Sequence, residues 1–82
     1  MPTQLAELAG LVRSILHNPG IELETSTRFE ELPAWDSMDL ISLIVEAECR
    51  FDVLFETDEI DRLNTAGDLL RLIAGKRALA QA

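Results

Sequence analysis

Tyrosine is absent from this 82-residue sequence, and three phenylalanines with one tryptophan supply all of its aromatic rings. A core with so few rings has to be assembled from Leu, Ile, Val and Ala, which suits packed helices. Cysteine occurs once, at Cys49. No internal disulfide can staple the fold, and the chain reads as intracellular, with the cytoplasm as its expected place. One histidine and one cysteine cannot form a ligand cluster, so no metal site is expected. Gly67 and Gly75 stand isolated, which excludes a glycine loop that cradles phosphate. No apolar run approaches the roughly 18 residues that cross a bilayer. The N-terminus has neither the basic start nor the apolar stretch of a signal peptide. Membrane insertion is therefore not expected.

What the sequence does hold is apolar residues and acid. Hydrophobic residues make up 48% of it, enough for one core and too many for a disordered segment. Its length suits a single domain, 1–82, that buries only roughly 60–65% of the surface its unfolded form exposes. The net charge of −8 is unevenly spread. Between Glu30 and Asp61 eleven acids face one base, Arg50, so that segment carries −10 and the remainder +2. Such a field repels nucleic acid and anionic membrane and draws basic protein surfaces. A solubilising surface would look the same, so charge alone names no function.

Apolar spacing divides the chain into helices. Leu5, Leu8, Ala9, Val12, Ile15 and Leu16 recur at helical intervals and predict a helix over about 3–16. Asn18-Pro19-Gly20 should stop it, because proline cannot continue a helix and glycine tolerates left-handed geometry. Asp36 can cap a second helix over about 37–51, with Asp39 adding negative charge in its first turn. Leu40, Leu43, Ile44, Ala47 and Phe51 form its apolar stripe. Thr57 is the expected cap of a short third helix, 58–62. Thr65-Ala66-Gly67-Asp68 has the form of a capping box opening a fourth, 65–79, whose Leu69, Leu70 and Ile73 face inward. Lys76 and Arg77 fall near its end, where the helix dipole favours cations. The expected class is all-α, a four-helix bundle.

The connection over 18–36 is far longer than the usual 2–8 residues between bundled helices. Ile21, Leu23, Phe29, Leu32 and Trp35 punctuate it, so it should be tied to the core, with room for a single turn around 28–31. A long, anchored loop either spans the bundle or builds a site. This one delivers the chain to Asp36-Ser37, at the head of the second helix.

A serine at a helix N-terminus is most often only a cap. Here its surroundings say more. Phe29-Glu30-Glu31-Leu32, then Trp35-Asp36-Ser37-Met38-Asp39, then a helix ending Arg50-Phe51-Asp52-Val53, resembles the acyl carrier protein family. That family sets F-x-x-L, D-S-L/M and a helix ending F-D/G-I/V around a modified serine. The register continues through Asp58-Glu59-Ile60 to Thr65 and Leu69-Leu70, so the resemblance covers roughly 25–73.

The resemblance implies a carrier, not an enzyme, with no catalytic residues of its own. Ser37 would bear 4'-phosphopantetheine, delivered from coenzyme A by a phosphopantetheinyl transferase, and the terminal thiol would hold cargo as a thioester. Asp36 would serve both the cap and transferase recognition. Met38, Asp39, Glu46 and Glu48 would meet partners: the transferase, an acyl or aminoacyl loading enzyme and downstream biosynthetic enzymes. A monomer is expected. The physics is compatible, because a helix N-terminus favours a phosphodiester anion. His17, distant in sequence from Ser37, reads as a surface residue, and Cys49 as an inert surface thiol.

Some residues depart from the fatty-acid carriers. Trp35 stands where a small residue is common, and its bulk should pin the loop beneath the serine. Ser42, Cys49 and Arg50 replace acids on the second helix. Phe55 and Ile60 add bulk around the region between the second and third helices, which Ala47 partly offsets. These point to a discrete, specialised carrier for a dedicated pathway, with short or polar cargo. Asp36-Ser37-Met38, Arg50-Phe51-Asp52 and Asp61-Arg62 also resemble aminoacyl carriers of the D-alanyl type. An unmodified helical adaptor for basic partners is the reading from a different class.

Overall fold

The computed structural model describes residues 4–80, and side chains through residue 78. Its elements are α1 (Gln4–Ile15), a 3-10 turn (Phe29–Glu31), α2 (Ser37–Phe51), α3 (Thr57–Asp61) and α4 (Ala66–Ala80). The expected start of the first helix at residue 3 and the ends of the chain lie outside the described residues. No helix among the described residues is long and apolar enough to cross a membrane.

Helical periodicity turned one face of each long helix inward. Leu8, Ala9 and Val12 from α1, Leu43, Ile44, Ala47 and Phe51 from α2, and Ala66, Leu69 and Ile73 from α4 form one buried cluster. Arg50, near the end of α2, reaches Glu7, near the start of α1, at 3.6 Å. The end of α2 is thereby held beside the first half of α1. α3 contributes no fully buried residue; it is held by half-buried Ile60, which packs against the core, and by one ion pair. Lys76 Nζ on α4 lies 2.8 Å from Glu59 Oε1 and 5.8 Å from the centre of the Phe55 ring. Lys76 is thus engaged by α3 and by the connection that precedes it.

The first helix stops differently from expectation. The left-handed residue is His17, at φ 51°, and no glycine among the described residues has positive φ. Asn18 N–H donates to Arg13 O (3.0 Å) and His17 N–H to Ser14 O (3.3 Å), the two bonds of a Schellman ending. These satisfy carbonyls that the helix leaves open, so His17 takes the conformation assigned to Gly20. His17 is exposed, as expected. The cap of α3 is also corrected. Thr57 is already helical, and Glu56 precedes it with extended backbone. Its N–H donates to Glu59 Oε1 at 2.9 Å.

The long loop is sewn to the start of α4. Phe29 N–H donates to Asn64 O (3.0 Å), Ala66 N–H to Thr27 O (2.9 Å) and Gly67 N–H to Thr25 O (2.8 Å). An isolated antiparallel bridge pairs Arg28 with Thr65 there. Gly67 is required by this approach, since a Cβ would sit 2.8 Å from the Thr25 carbonyl oxygen. Thr65 and Asp68 complete the capping box, with Thr65 N–H on Asp68 Oδ2 and Asp68 N–H on Thr65 Oγ1, each at 3.1 Å. Ile21, Leu23, Phe29 and Leu32 are buried, and Trp35 is half-buried. Arg13 Nε donates to Ile21 O at 2.7 Å and fixes the loop's other end.

Candidate functional site

α2 begins at Ser37 because Asp36 caps it. Asp36 has extended backbone at φ −138° and ψ −179°. Its Oδ1 accepts from Asp39 N–H, and Asp39 Oδ2 accepts from Asp36 N–H, each at 3.0 Å. This reciprocal box satisfies two donors that a helix start would otherwise leave open. The first intrahelical bond runs from Leu40 N–H to Asp36 O. The N–H groups of Ser37 and Met38 precede it and have no intrahelical acceptor.

Ser37 is exposed. No hydrogen bond joins its hydroxyl to a basic side chain among the described residues. The loop reaches it through Ala34, in left-handed backbone at φ 59°. Trp35 follows, stacked on Phe29 with ring centres 5.4 Å apart and planes 14° from parallel. The expected pinning of the loop by Trp35 takes this form.

The four candidate partner residues divide. Met38 and Glu46 are exposed. Asp39 and Glu48 are half-buried and carry structural duties. Asp39 belongs to the box, and Glu48 Oε2 accepts from Phe55 N–H at 2.9 Å, holding the α2–α3 connection. Sequence periodicity did not single out Ile41, Val45 and Leu54, which are 55%, 52% and 78% exposed beside Met38 at 66%. Positions 38, 41 and 45 share a helical face, and the usable signal was their place off the core stripe. Cys49 is exposed and free.

Among the described residues two carboxylates carry lowered pKa values, one on α3 and one on α4. Lys76 beside Glu59, followed by the Glu56 N–H, stabilises its charged form against partial burial. Asp68 is lowered by the N–H groups of Thr65 and Asn64, again against burial. Neither is next to Ser37 in sequence.

A small helical bundle, acidic along α2 and α3, with a capped and exposed serine at a helix head, defines a carrier class. The sequence profile described as "Phosphopantetheine attachment site" matches residues 6–73, and the chain belongs to that family, among the acyl carrier proteins. The acyl carrier protein of Streptococcus thermophilus (strain CNRZ 1066) is 44% identical over 55 residues, 67% of this chain and 70% of that protein. That of Beutenbergia cavernae is 31% identical over 74 residues, 90% of each. The solution NMR structure of holo acyl carrier protein from Geobacter metallireducens matches with a TM-score of 0.85 and 32% identity. It covers 99% of this chain and 92% of that one. Acyl carrier proteins are carriers and not enzymes, and their prosthetic group is 4'-phosphopantetheine.

The residues at the head of α2 fit that group. Its phosphodiester needs donors and a favourable dipole, and the Ser37 and Met38 N–H groups with the α2 N-terminus supply both. Asp36 and Asp39 bring negative charge close by. Each, however, has a carboxylate oxygen committed to a backbone N–H within the box, which leaves the Ser37 and Met38 N–H groups outside it.

Proposed function

We propose that Ser37 carries the 4'-phosphopantetheine arm and that the protein ferries acyl cargo, as thioesters, through a dedicated biosynthetic pathway. The observation that carries this is the exposed Ser37 at the first position of α2, beside a cap that leaves two adjacent donors open. Ser37 Oγ loses its proton and bonds to the phosphorus of the pantetheine phosphate of coenzyme A, and adenosine bisphosphate leaves. A transferase supplies the base, consistent with a serine whose hydroxyl meets none among the described residues. When attached, the arm supplies a thiol that holds the cargo.

Partner enzymes meet the face of α2 and α3, where exposed Met38, Ile41, Val45 and Leu54 lie among acids. Apolar contact supplies affinity there, and the acids guide basic partners. Phe55 and Ile60 are half-buried and packed against the core, with Ala47 fully buried. Their bulk supports a short or polar cargo. Incubation with coenzyme A, a broad-specificity transferase and an acyl donor should raise the intact mass in two steps. The second step should be reversed by hydroxylamine, which cleaves thioesters. A protein that never gains the first increment contradicts the reading. One that takes an amino acid in the second step, and no acyl group, moves it to the aminoacyl carriers.

A further inference from the structure

Beside the head of α2 lies a hollow of about 180 Å³ lined by Arg28, Phe29, Glu30, Trp35, Leu40, Leu63 and Asn64. Its walls come from the 3-10 turn, the first turn of α2 and the connection between α3 and α4. Two of them are chained to Ser37, since Trp35 precedes it by two residues and Leu40 follows it by three. Helical residues three apart share a face, with Cβ atoms about 5–6 Å from each other. A group bonded to Ser37 Oγ therefore begins its course at the edge of this hollow.

The floor is fixed. Phe29 is buried, its N–H is bonded to Asn64 O, and Trp35 lies flat against it. Trp35 is only half-buried, so a large apolar ring keeps an open surface next to the site. The rim is polar, and Arg28 is already paired with Glu30. It offers hydrogen-bonding groups to a neutral ligand and little net charge to a second anion.

We propose that this hollow seats the first segment of the arm. The branched dimethyl carbon that follows the phosphate rests on Trp35, Leu40 and Leu63. The hydroxyl and first amide that come next face Arg28, Glu30 and Asn64. This rests on Ser37 being the attachment site. Tether and size select that segment over the cargo. The thiol lies at the far end of the arm, so cargo would have to fold back along its own tether to arrive here. An apolar cavity of about 150 Å³ takes one benzene, so the hollow suits a compact branched group and not a long chain. Apolar walls with a few polar groups at the rim match an apolar carbon flanked by hydroxyl and amide.

Trp35 is the only tryptophan and tyrosine is absent, so ultraviolet-excited emission reports on the hollow. Coenzyme A and a transferase would convert the unmodified protein, with intact mass confirming addition. The expected result is a blue shift and about a twofold fall in the acrylamide quenching constant, because covering the open part of a half-buried ring removes its access to quencher. Nuclear Overhauser contacts should join the two arm methyls to the Trp35 ring and to the Leu40 and Leu63 methyls. Leu63→Ser should gain the same mass and lose most of the protection; if that variant does not fold, the methyl contacts decide alone. A full mass gain with unchanged emission and no methyl contacts would overturn the seat and leave attachment standing. Contacts arising only from a loaded butyryl group would overturn it in favour of the cargo. No mass gain would overturn both the seat and the attachment.

Discussion

Gly67 and Gly75 lie on the same helix, and Ala should have opposite effects at the two positions. At Gly75 a new Cβ would meet nothing within 4 Å. The site is exposed in the body of α4, so Gly75→Ala should stabilise by about 0.5–1 kcal/mol, the ordinary propensity difference. At Gly67 the Cβ would lie 2.8 Å from Thr25 O and 3.3 Å from Thr25 Cβ. The loop must retreat, which strains packing by about 1–3 kcal/mol and weakens the Gly67–Thr25 bond, worth about 1 kcal/mol. Propensity returns at most about 1 kcal/mol. The net destabilisation is about 1–3 kcal/mol, or roughly 4–24 °C in Tm for a domain of this size. Thermal unfolding followed by circular dichroism reads both variants, and hydrogen exchange at the Ala66 and Gly67 amides shows whether the loop has come away. Stabilisation of the Gly67 variant comparable to that of the Gly75 variant would refute the close approach of loop and helix.

Acid should unfold the protein partly through Glu59 and Asp68. Both have lowered pKa values, so their contribution is present above the ordinary carboxylate range near about pH 4 and is lost as pH falls through their folded values. Glu59→Gln and Asp68→Asn should each flatten the acid limb of a stability-versus-pH curve, and limbs identical to the parent's would contradict the assignment. On the partner face, Glu46→Lys should slow loading more than Glu22→Lys, with the difference shrinking as salt screens charge over about 8–10 Å. Equal slowing at both would reduce the acids to a solubilising surface. A long saturated chain on the arm should barely raise Tm in the parent and raise it more in Phe55→Ala. A steep rise with chain length in the parent would show open space where Phe55 and Ile60 are packed.

Local signals carried the architecture. Apolar spacing marked the buried faces of α1, α2 and α4, and Thr65 with Asp68 made the box that their spacing suggests. The anchors of the long loop were legible because isolated apolar residues in a polar stretch have to be buried somewhere. What escaped depends on atoms brought together from afar. Gly20 and Thr57 have the preferred residue types for a left-handed turn and a cap. The Schellman bonds instead put His17 in left-handed backbone, and Glu59 instead satisfies the Glu56 N–H. The Lys76–Glu59 and Arg50–Glu7 pairs join residues far apart in sequence. The sewing of residues 25–29 to 64–67 is backbone-to-backbone, with no side-chain signature beyond Gly67. At the site, the Asp36-Ser37 junction was readable. The structural duties of Asp39 and Glu48 depended on how each side chain turns back to the backbone.

The most direct test of the carrier reading is to locate the modification by mass. After conversion with coenzyme A and a broad-specificity transferase, the protein is fragmented and the arm mapped to a residue, with Ser37→Ala treated in parallel. The predicted result is a single arm on Ser37 in the parent, and none on a Ser37→Ala protein that keeps its helical circular dichroism. An arm on any other residue, or an increment that persists in Ser37→Ala, would contradict it.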